Sequence, residues 1–216
     1  KRAINYVTSV NAEMNPSQEK KAIAGYYASV SYMDAQVGRV LNALKDEGLE
    51  DKTIVIFTSD HGFHLAEHRF WMKVSLKDES VRVPLVIKVP GKKPAVCNSF
   101  VELIDLYPTI AELAGLTPPK HIQGKSLVPT INNPETEVRD MVFTVTQGGN
   151  SFLLRNRNWA FMSYNEDGSL GYELFDMLKD PHQMTNLAER PEHQDTLNRF
   201  KDLLVQKLKE VRNNDI

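Results

Sequence analysis

Residues 53–62 read Thr-Ile-Val-Ile-Phe-Thr-Ser-Asp-His-Gly. The run from Thr53 to Thr58 is β-branched and aromatic, which is typical of a strand covered on both faces, as in a parallel sheet between helices. Such sheets bind ligands at the carboxyl ends of their strands. The pattern therefore predicts an interior strand of a mostly parallel sheet, with Asp60 and His61 at its functional end.

Asp60 and His61 are both residue types that hold metal ions. A short Asp-His-Gly triplet also has an ordinary structural explanation, in which Asp60 caps a turn and Gly62 permits a bend. The triplet by itself leaves the two interpretations open.

A longer stretch carries a family resemblance. Residues 58–73 read Thr-Ser-Asp-His-Gly-Phe-His-Leu-Ala-Glu-His-Arg-Phe-Trp-Met-Lys. This resembles the metal-and-sulfate stretch of the type I sulfatases of the alkaline phosphatase superfamily, and most of all the iduronate-2-sulfatase-like branch. Residues 79–87 look like the strand that follows the lysine loop in that family, residues 101–116 like its next helix, and residues 172–188 like its C-terminal subdomain.

The resemblance covers nearly the whole chain and implies an α/β fold. We expect an alkaline-phosphatase-like, mostly parallel sheet flanked by helices, followed by a small antiparallel sheet with a covering helix. Residues 1–130 are expected to form the C-terminal part of the catalytic domain, and residues 131–216 the C-terminal subdomain.

The resemblance also implies roles for individual residues. Asp60 and His61 are expected to bind the metal, and Lys73 to donate to the sulfate oxygens and the hydrated nucleophile. His68 is expected to reach the site directly or through another residue. Trp71 is either a platform for a sugar ring or a buried brace of the loop. His64 carries no matching role and is expected on the loop surface.

The family's usual ion is calcium, which prefers oxygen ligands. A histidine nitrogen beside Asp60 would also suit zinc or manganese. The resemblance favours calcium. The ion would fix the nucleophile and one sulfate oxygen, and would neutralise developing charge.

The nucleophile of such sulfatases is formylglycine, made within a Cys/Ser-x-Pro/Ala-x-Arg motif. Cys97 is followed by Asn-Ser-Phe-Val and does not fit this motif, and no serine of the chain fits it either. We therefore expect Cys97 to be structural. The nucleophile and an aspartate pair are expected on an N-terminal portion of the same enzyme, which is periplasmic, secreted or lysosomal by resemblance.

Composition limits the partners. The net charge of −2 gives no electrostatic reason to expect nucleic acid or an anionic membrane surface. No apolar run approaches the ~20 residues needed to span a bilayer. The expected substrate is a sulfated carbohydrate. A phosphodiester or phosphonate monoester hydrolase, and a non-catalytic homologue that binds a glycan or a partner, remain open as alternatives.

Periodicity predicts the remaining elements. A long amphipathic helix is expected from Gln18 to Glu47, with Ser17 as its N-cap, Gly48 as its stop and Asp34 as a solvated carboxylate. Strand-like segments and a final amphipathic helix follow; they are Met141–Val145, Ser151–Arg155, Trp159–Tyr164, Tyr172–Asp176 and a helix carrying Leu197, Phe200, Leu203, Leu204, Leu208 and Val211. The glycine-containing connection at residues 146–150 is either a plain hairpin loop or part of the active-site rim.

The segment from Gly62 to Ser80 is longer than the usual 2–6 residues of a strand-to-helix connection. Long ordered loops of compact domains tend to be functional. We therefore expect the chemistry to lie in this segment.

Overall fold

The computed structural model of the protein describes residues 14–146 and 148–213. The described part of the chain divides into two compact units, with the division between Lys93 and Pro94. The described elements of the first unit are α1 (Pro16–Asp46), β1 (Val55–Thr58), β2 (His64–Leu65), β3 (Trp71–Met72), α2 (Asp78–Val81) and β4 (Leu85–Lys88). Those of the second unit are α3 (Leu106–Leu113), α4 (Val128–Asn132), β5 (Met141–Val145), β6 (Ser151–Asn156), β7 (Trp159–Tyr164), β8 (Tyr172–Asp176) and α5 (Gln194–Arg212).

Helix α1 begins with a complete capping box. The Asn15 side chain accepts from the backbone of Ser17 and Gln18, and the Gln18 side chain accepts from the backbone of Asn15. The predicted N-cap at Ser17 is therefore wrong by two residues. Pro16, which has no N–H and a helical φ, suits the first helical position, and so the cap falls on the residue before it.

The apolar stripe of α1 stays largely uncovered in the described part of the chain. None of the helix's side chains is buried there, and Val40 is 69% exposed. The helix contacts the segment of residues 62–80 through Tyr26, whose ring centroid lies 5.1 Å from that of Phe63. No helix of the described residues combines the length and apolarity needed to cross a bilayer.

Strand β1 pairs with β4 in the antiparallel direction, with Thr58 opposite Leu85. The predicted placement of residues 53–58 inside a mostly parallel sheet is therefore wrong for the described strands, and β1 begins at Val55. An apolar run indicates burial, but it does not encode the direction of the neighbouring strand. The wider α/β class, with helices beside a small antiparallel C-terminal sheet, is confirmed.

Residues 62–80, where the chemistry is expected, fold into a small hairpin and a short helix. Strands β2 and β3 pair with His64 opposite Met72, and a 3-10 turn at Glu67–Arg69 connects them. The strand expected over residues 79–87 forms only at Leu85–Lys88, because α2 occupies its first part. Pro84 forces extended backbone on the residue before it, and this separates the helix from the strand.

The second unit is organised around two cores. In the first, Asp105 is fully buried and accepts from the guanidinium of Arg139 and from the backbone of Glu102 and Lys125. The helix expected over residues 101–116 begins as a 3-10 turn at Leu103–Asp105 and continues as α3. Arg139 forms ion pairs with Glu102 and Asp105, so these contacts cross the predicted domain boundary at residue 130. The compact units divide earlier, after Lys93. The predicted domain division stays a prediction.

The second core lies between the C-terminal sheet and α5. Strands β5 to β8 follow one another in antiparallel order, which confirms the predicted sheet. The apolar side of α5 is buried, as expected; its core residues are Leu197, Phe200, Leu204 and Leu208. Of the glycine-containing connection, Gln147 lies outside the described residues.

Candidate active site

The carboxyl end of β1 carries the two predicted metal ligands. The Ser59 hydroxyl donates to the His61 carbonyl at 2.7 Å, and the His61 backbone N–H donates to Asp60 Oδ1 at 3.0 Å. Asp60 Oδ2 then lies 3.4 Å from His61 Nε2, with the side chains 83% and 34% exposed. A carboxylate oxygen and an imidazole nitrogen are therefore close together and accessible from solvent.

The partners of His61 fix its tautomer. Its Nδ1 lies 2.9 Å from the Gly62 carbonyl, which only accepts, and so Nδ1 carries the proton. Its Nε2 lies 2.9 Å from the ammonium of Lys73, which only donates. The Nε2 lone pair of a neutral imidazole therefore faces Asp60 and Lys73, which is the arrangement of a metal-binding histidine held by a backbone carbonyl.

Gly62 ties this strand end to α2. Its N–H donates to the Ser80 carbonyl at 2.8 Å. A Cβ at this position would lie 2.0 Å from the Glu79 carbonyl oxygen. Only glycine permits this approach, so the Asp-His-Gly order holds His61 in place through the close contact of two backbone segments.

Lys73 is brought to His61 by the hairpin. It follows β3 directly, and its backbone carbonyl accepts from the Ser75 N–H at 3.1 Å. The side chain is exposed and reaches His61 across twelve positions of sequence. The structure thus gathers three predicted site residues, Asp60, His61 and Lys73.

The structure places His68 against Glu79. Its Nε2 is 3.3 Å from Glu79 Oε1, the two side chains are 13% and 22% exposed, and its ring centroid is 5.9 Å from that of His64. Of the two predicted alternatives, this position favours a role behind the site over direct contact with the substrate.

Trp71 is 6% exposed and lies opposite Leu65 in the hairpin. A ring buried to this degree braces the loop. The structure therefore favours that alternative over a sugar-facing platform.

The structure places His64 in the interior, not on the loop surface. It was expected on the surface, but it is fully buried, with its Nε2 2.8 Å from Ser75 Oγ and its ring 4.8 Å from that of Phe70. Burial lowers the pKa of His64, which keeps the imidazole neutral. No residue pattern around His64 indicated this burial, because the side chains that enclose it, Ser75 and Phe70, lie further along the sequence.

The hairpin contains an unusual run of left-handed backbone. The φ angles are 88° at Ala66, 56° at His68, 54° at Arg69 and 77° at Met72. Non-glycine residues pay about 1–2 kcal/mol for this conformation. Arg69 thus has a backbone conformation that glycine adopts freely. Strain of this kind concentrates in functional segments.

Comparison with known proteins gives the family. Residues 4–116 match the family profile Sulfatase, and residues 66–213 match the profile described as N-sulphoglucosamine sulphohydrolase, C-terminal. The chain is 33% identical over 198 residues to arylsulfatase K of Bos taurus, an alignment that covers 86% of this chain and 37% of that relative. The chain thus spans well under half the length of this relative.

Two solved structures have the same fold. A protein in complex with its substrate, D-glucosamine-2-N,6-O-disulfate, is similar with a TM-score of 0.73 and 28% identity over 88% of this chain and 41% of that one. A phosphonate monoester hydrolase of Agrobacterium radiobacter has a TM-score of 0.79 and 28% identity over 93% of this chain and 43% of that one. The finer likeness to the iduronate-2-sulfatase-like branch stays a prediction. Because the two profiles together span residues 4–213, this chain belongs to the sulfatase family.

Proposed function

We propose that this chain contributes to the active site of an enzyme that hydrolyses sulfate esters of a carbohydrate with the help of one divalent cation. The observation that carries the proposal is the contact between Lys73 and His61 beside Asp60, at the end of β1. This contact gathers an ammonium donor, an imidazole lone pair and a carboxylate on one exposed surface.

Lys73 would act on the sulfate group. An ammonium is a compact cation with three donors, which suits a tetrahedral oxyanion that gains charge as the S–O bond breaks. Donors already in place when the charge develops are the most effective kind of catalytic stabilisation. Lys73 is held near its partner by the hairpin rather than by substrate, and this supports such a role.

Asp60 and His61 would hold the cation. The exposed carboxylate and the unprotonated Nε2 suit a divalent ion in chemistry, with calcium as the family's usual choice and zinc or manganese as the alternatives. When bound, the ion would neutralise negative charge on the ester and the nucleophile. Nε2 has one lone pair, so it serves either the Lys73 ammonium, as here, or the ion.

The remaining parts of the site are proposed to lie outside this chain. Among the described residues no group of three His, Cys, Asp or Glu side chains suits a metal ion. Cys97 is exposed, free and outside a formylglycine motif. We infer that an N-terminal portion of the same enzyme is the structural partner, and that it supplies the formylglycine nucleophile and further ligands.

The substrate class rests on the relatives. One similar structure holds a sulfated glucosamine as its substrate, which supports a sulfated sugar here. The likeness to a phosphonate monoester hydrolase favours a second candidate, because sulfate and phosphonate esters are both tetrahedral oxyanions met by the same groups. A non-catalytic homologue that binds a glycan is the third.

The deciding experiment uses the complete enzyme that contains this chain. Release of sulfate from a sulfated glucosamine and release of phenol from the monophenyl ester of methylphosphonate are measured under the same conditions with added calcium. The proposal expects the larger kcat/KM on the sulfate ester. A larger value on the phosphonate would favour the second candidate, and no turnover of either ester with glycan binding retained would favour the third.

A further inference from the structure

A hydrogen-bond chain runs through the interior of the hairpin. His64 Nε2 lies 2.8 Å from Ser75 Oγ, and Ser75 Oγ lies 2.9 Å from Ser80 Oγ. His64 is fully buried and Ser80 is 3% exposed. The Ser75 hydroxyl also accepts from the Lys77 backbone N–H at 3.1 Å. These hydrogen bonds link β2, the end of β3 and α2.

The His64 imidazole thus shares one hydrogen bond with the Ser75 hydroxyl, and the Ser75 hydroxyl shares a second with Ser80. The imidazole is neutral, since burial lowers the pKa of His64. Its Nδ1 is buried without a hydrogen-bond partner among the described residues. An unpaired buried polar nitrogen costs free energy, so the position of His64 in the interior lowers the stability of the protein.

His64 holds the chain on both sides of Lys73. Its backbone lies opposite Met72 in the hairpin, one residue before Lys73. Its side chain bonds to Ser75, whose N–H donates to the Lys73 carbonyl at 3.1 Å. His64 is also three positions after His61, the partner of the Lys73 ammonium. His64 thus contacts the residues on both sides of Lys73 and lies close in sequence to His61, the partner of the Lys73 ammonium.

We propose that His64 is a positioning residue for Lys73, which acts through Ser75 to fix the end of β3 so that the ammonium meets the reacting ester. The inference rests on the proposed function of Lys73 and deepens it. His64 does not itself act on the substrate. Misplacing a catalytic donor by about 1 Å costs up to about 100-fold in rate, so a remote anchor of this kind has a measurable effect.

The test is a set of double-mutant cycles in the complete enzyme. His64→Leu removes the hydrogen bond to Ser75 and keeps most of the volume, His64→Gln restores a hydrogen-bonding group, and Ser75→Ala removes the partner hydroxyl. Each is made in the wild type and in Lys73→Ala. His121→Leu, at an exposed position, is the matched control.

In the wild-type background, His64→Leu and Ser75→Ala are expected to lower kcat about tenfold with KM nearly unchanged, and His64→Gln to recover most of the loss. In the Lys73→Ala background the same changes are expected to alter kcat by less than about twofold, because the group that they position is gone.

An equal loss of kcat from His64→Leu in both backgrounds would overturn the proposal, since it would show a general structural effect. So would an unchanged kcat in the wild-type background. If His64→Leu fails to fold, the Ser75→Ala cycle decides by the same criterion. Wild-type turnover in Lys73→Ala would instead overturn the proposed role of Lys73, and the positioning role with it.

Discussion

At the scale of single residues, His61 organises the candidate site because each of its ring nitrogens has a defined partner. The Gly62 carbonyl accepts a hydrogen bond from the Nδ1–H, and this leaves the Nε2 lone pair for Lys73 or for a cation. Asp60 adds a carboxylate 3.4 Å away. Metal binding is thus expected to depend on both side chains.

Asp60→Asn is expected to lower cation content and kcat together in the complete enzyme. The amide oxygen keeps an acceptor for the His61 N–H but loses the charge that holds a divalent ion. The free energy of unfolding of the metal-free protein should change by no more than about 0.5 kcal/mol. Metal content is measured by mass spectrometry of the dialysed protein.

Asp34→Asn is the control for Asp60→Asn, since Asp34 is an exposed carboxylate in α1. It should leave metal content and kcat unchanged. Full metal content in Asp60→Asn would remove Asp60 from the ligand set.

The protein is expected to lose stability with acid partly through His64. Burial lowers the pKa of His64 from its ordinary value of 6.5, so the unfolded chain binds the proton more tightly. The free energy of unfolding therefore keeps its full value, as far as His64 is concerned, above pH 6.5. It falls as the pH drops below 6.5, by at most about 1.4 kcal/mol per pH unit. Urea unfolding between pH 5 and pH 8 measures this slope.

His64→Gln should make the slope shallower below pH 6.5, whereas His121→Gln, at an exposed position, should leave it as in the wild type. The same slope in His64→Gln and in the wild type would mean that His64 is not the group responsible.

The sequence placed Asp60, His61 and Lys73 near one another because the resemblance fixed their order and the strand end fixed their location. It missed His64, because the burial of a histidine depends on partners such as Ser75 and Phe70 that lie several positions away in sequence. No residue-type pattern at His64 itself encodes that environment.

At the scale of elements, the sequence predicted the pairing of strands that follow one another closely and did not predict the pairing of distant strands. Strands β5 to β8 are separated by short connections, so neighbours in sequence became neighbours in the sheet. Strand β1 instead pairs with β4, which lies beyond the hairpin and α2. An apolar run does not specify a partner at that separation.

Gly62→Ala is expected to destabilise the protein, because its Cβ would lie 2.0 Å from the Glu79 carbonyl oxygen. Forcing two backbone segments apart costs about 1–3 kcal/mol or more. Because the same contact holds His61 in place, kcat of the complete enzyme should fall as well. Urea unfolding and turnover are both measured.

Gly25→Ala is the matched control, since Gly25 lies inside α1 with open space around it. Alanine there should stabilise the protein by about 0.5–1 kcal/mol and leave turnover unchanged. Equal unfolding free energies for Gly62→Ala and the wild type would contradict the close backbone approach at Gly62.

At the scale of the whole molecule, this chain is expected to be incomplete as a catalyst. It spans 37% of the length of arylsulfatase K of Bos taurus, and its sequence contains no formylglycine motif. Purified alone, it should show no hydrolysis of a chromogenic aryl sulfate above a heat-denatured control. Turnover by the isolated chain would mean that the nucleophile lies within it.

The most direct test of the proposed site is kcat of Lys73→Ala on a sulfated glucosamine, measured in the complete enzyme beside Lys93→Ala, which alters an exposed lysine. Removing a preorganised donor should lower kcat by about 10²–10³ and leave metal content and unfolding free energy near the wild-type values. Lys73→Arg should recover only part of the rate, because a planar guanidinium does not reproduce a compact ammonium. Lys93→Ala should turn over like the wild type. Wild-type turnover in Lys73→Ala would contradict the account.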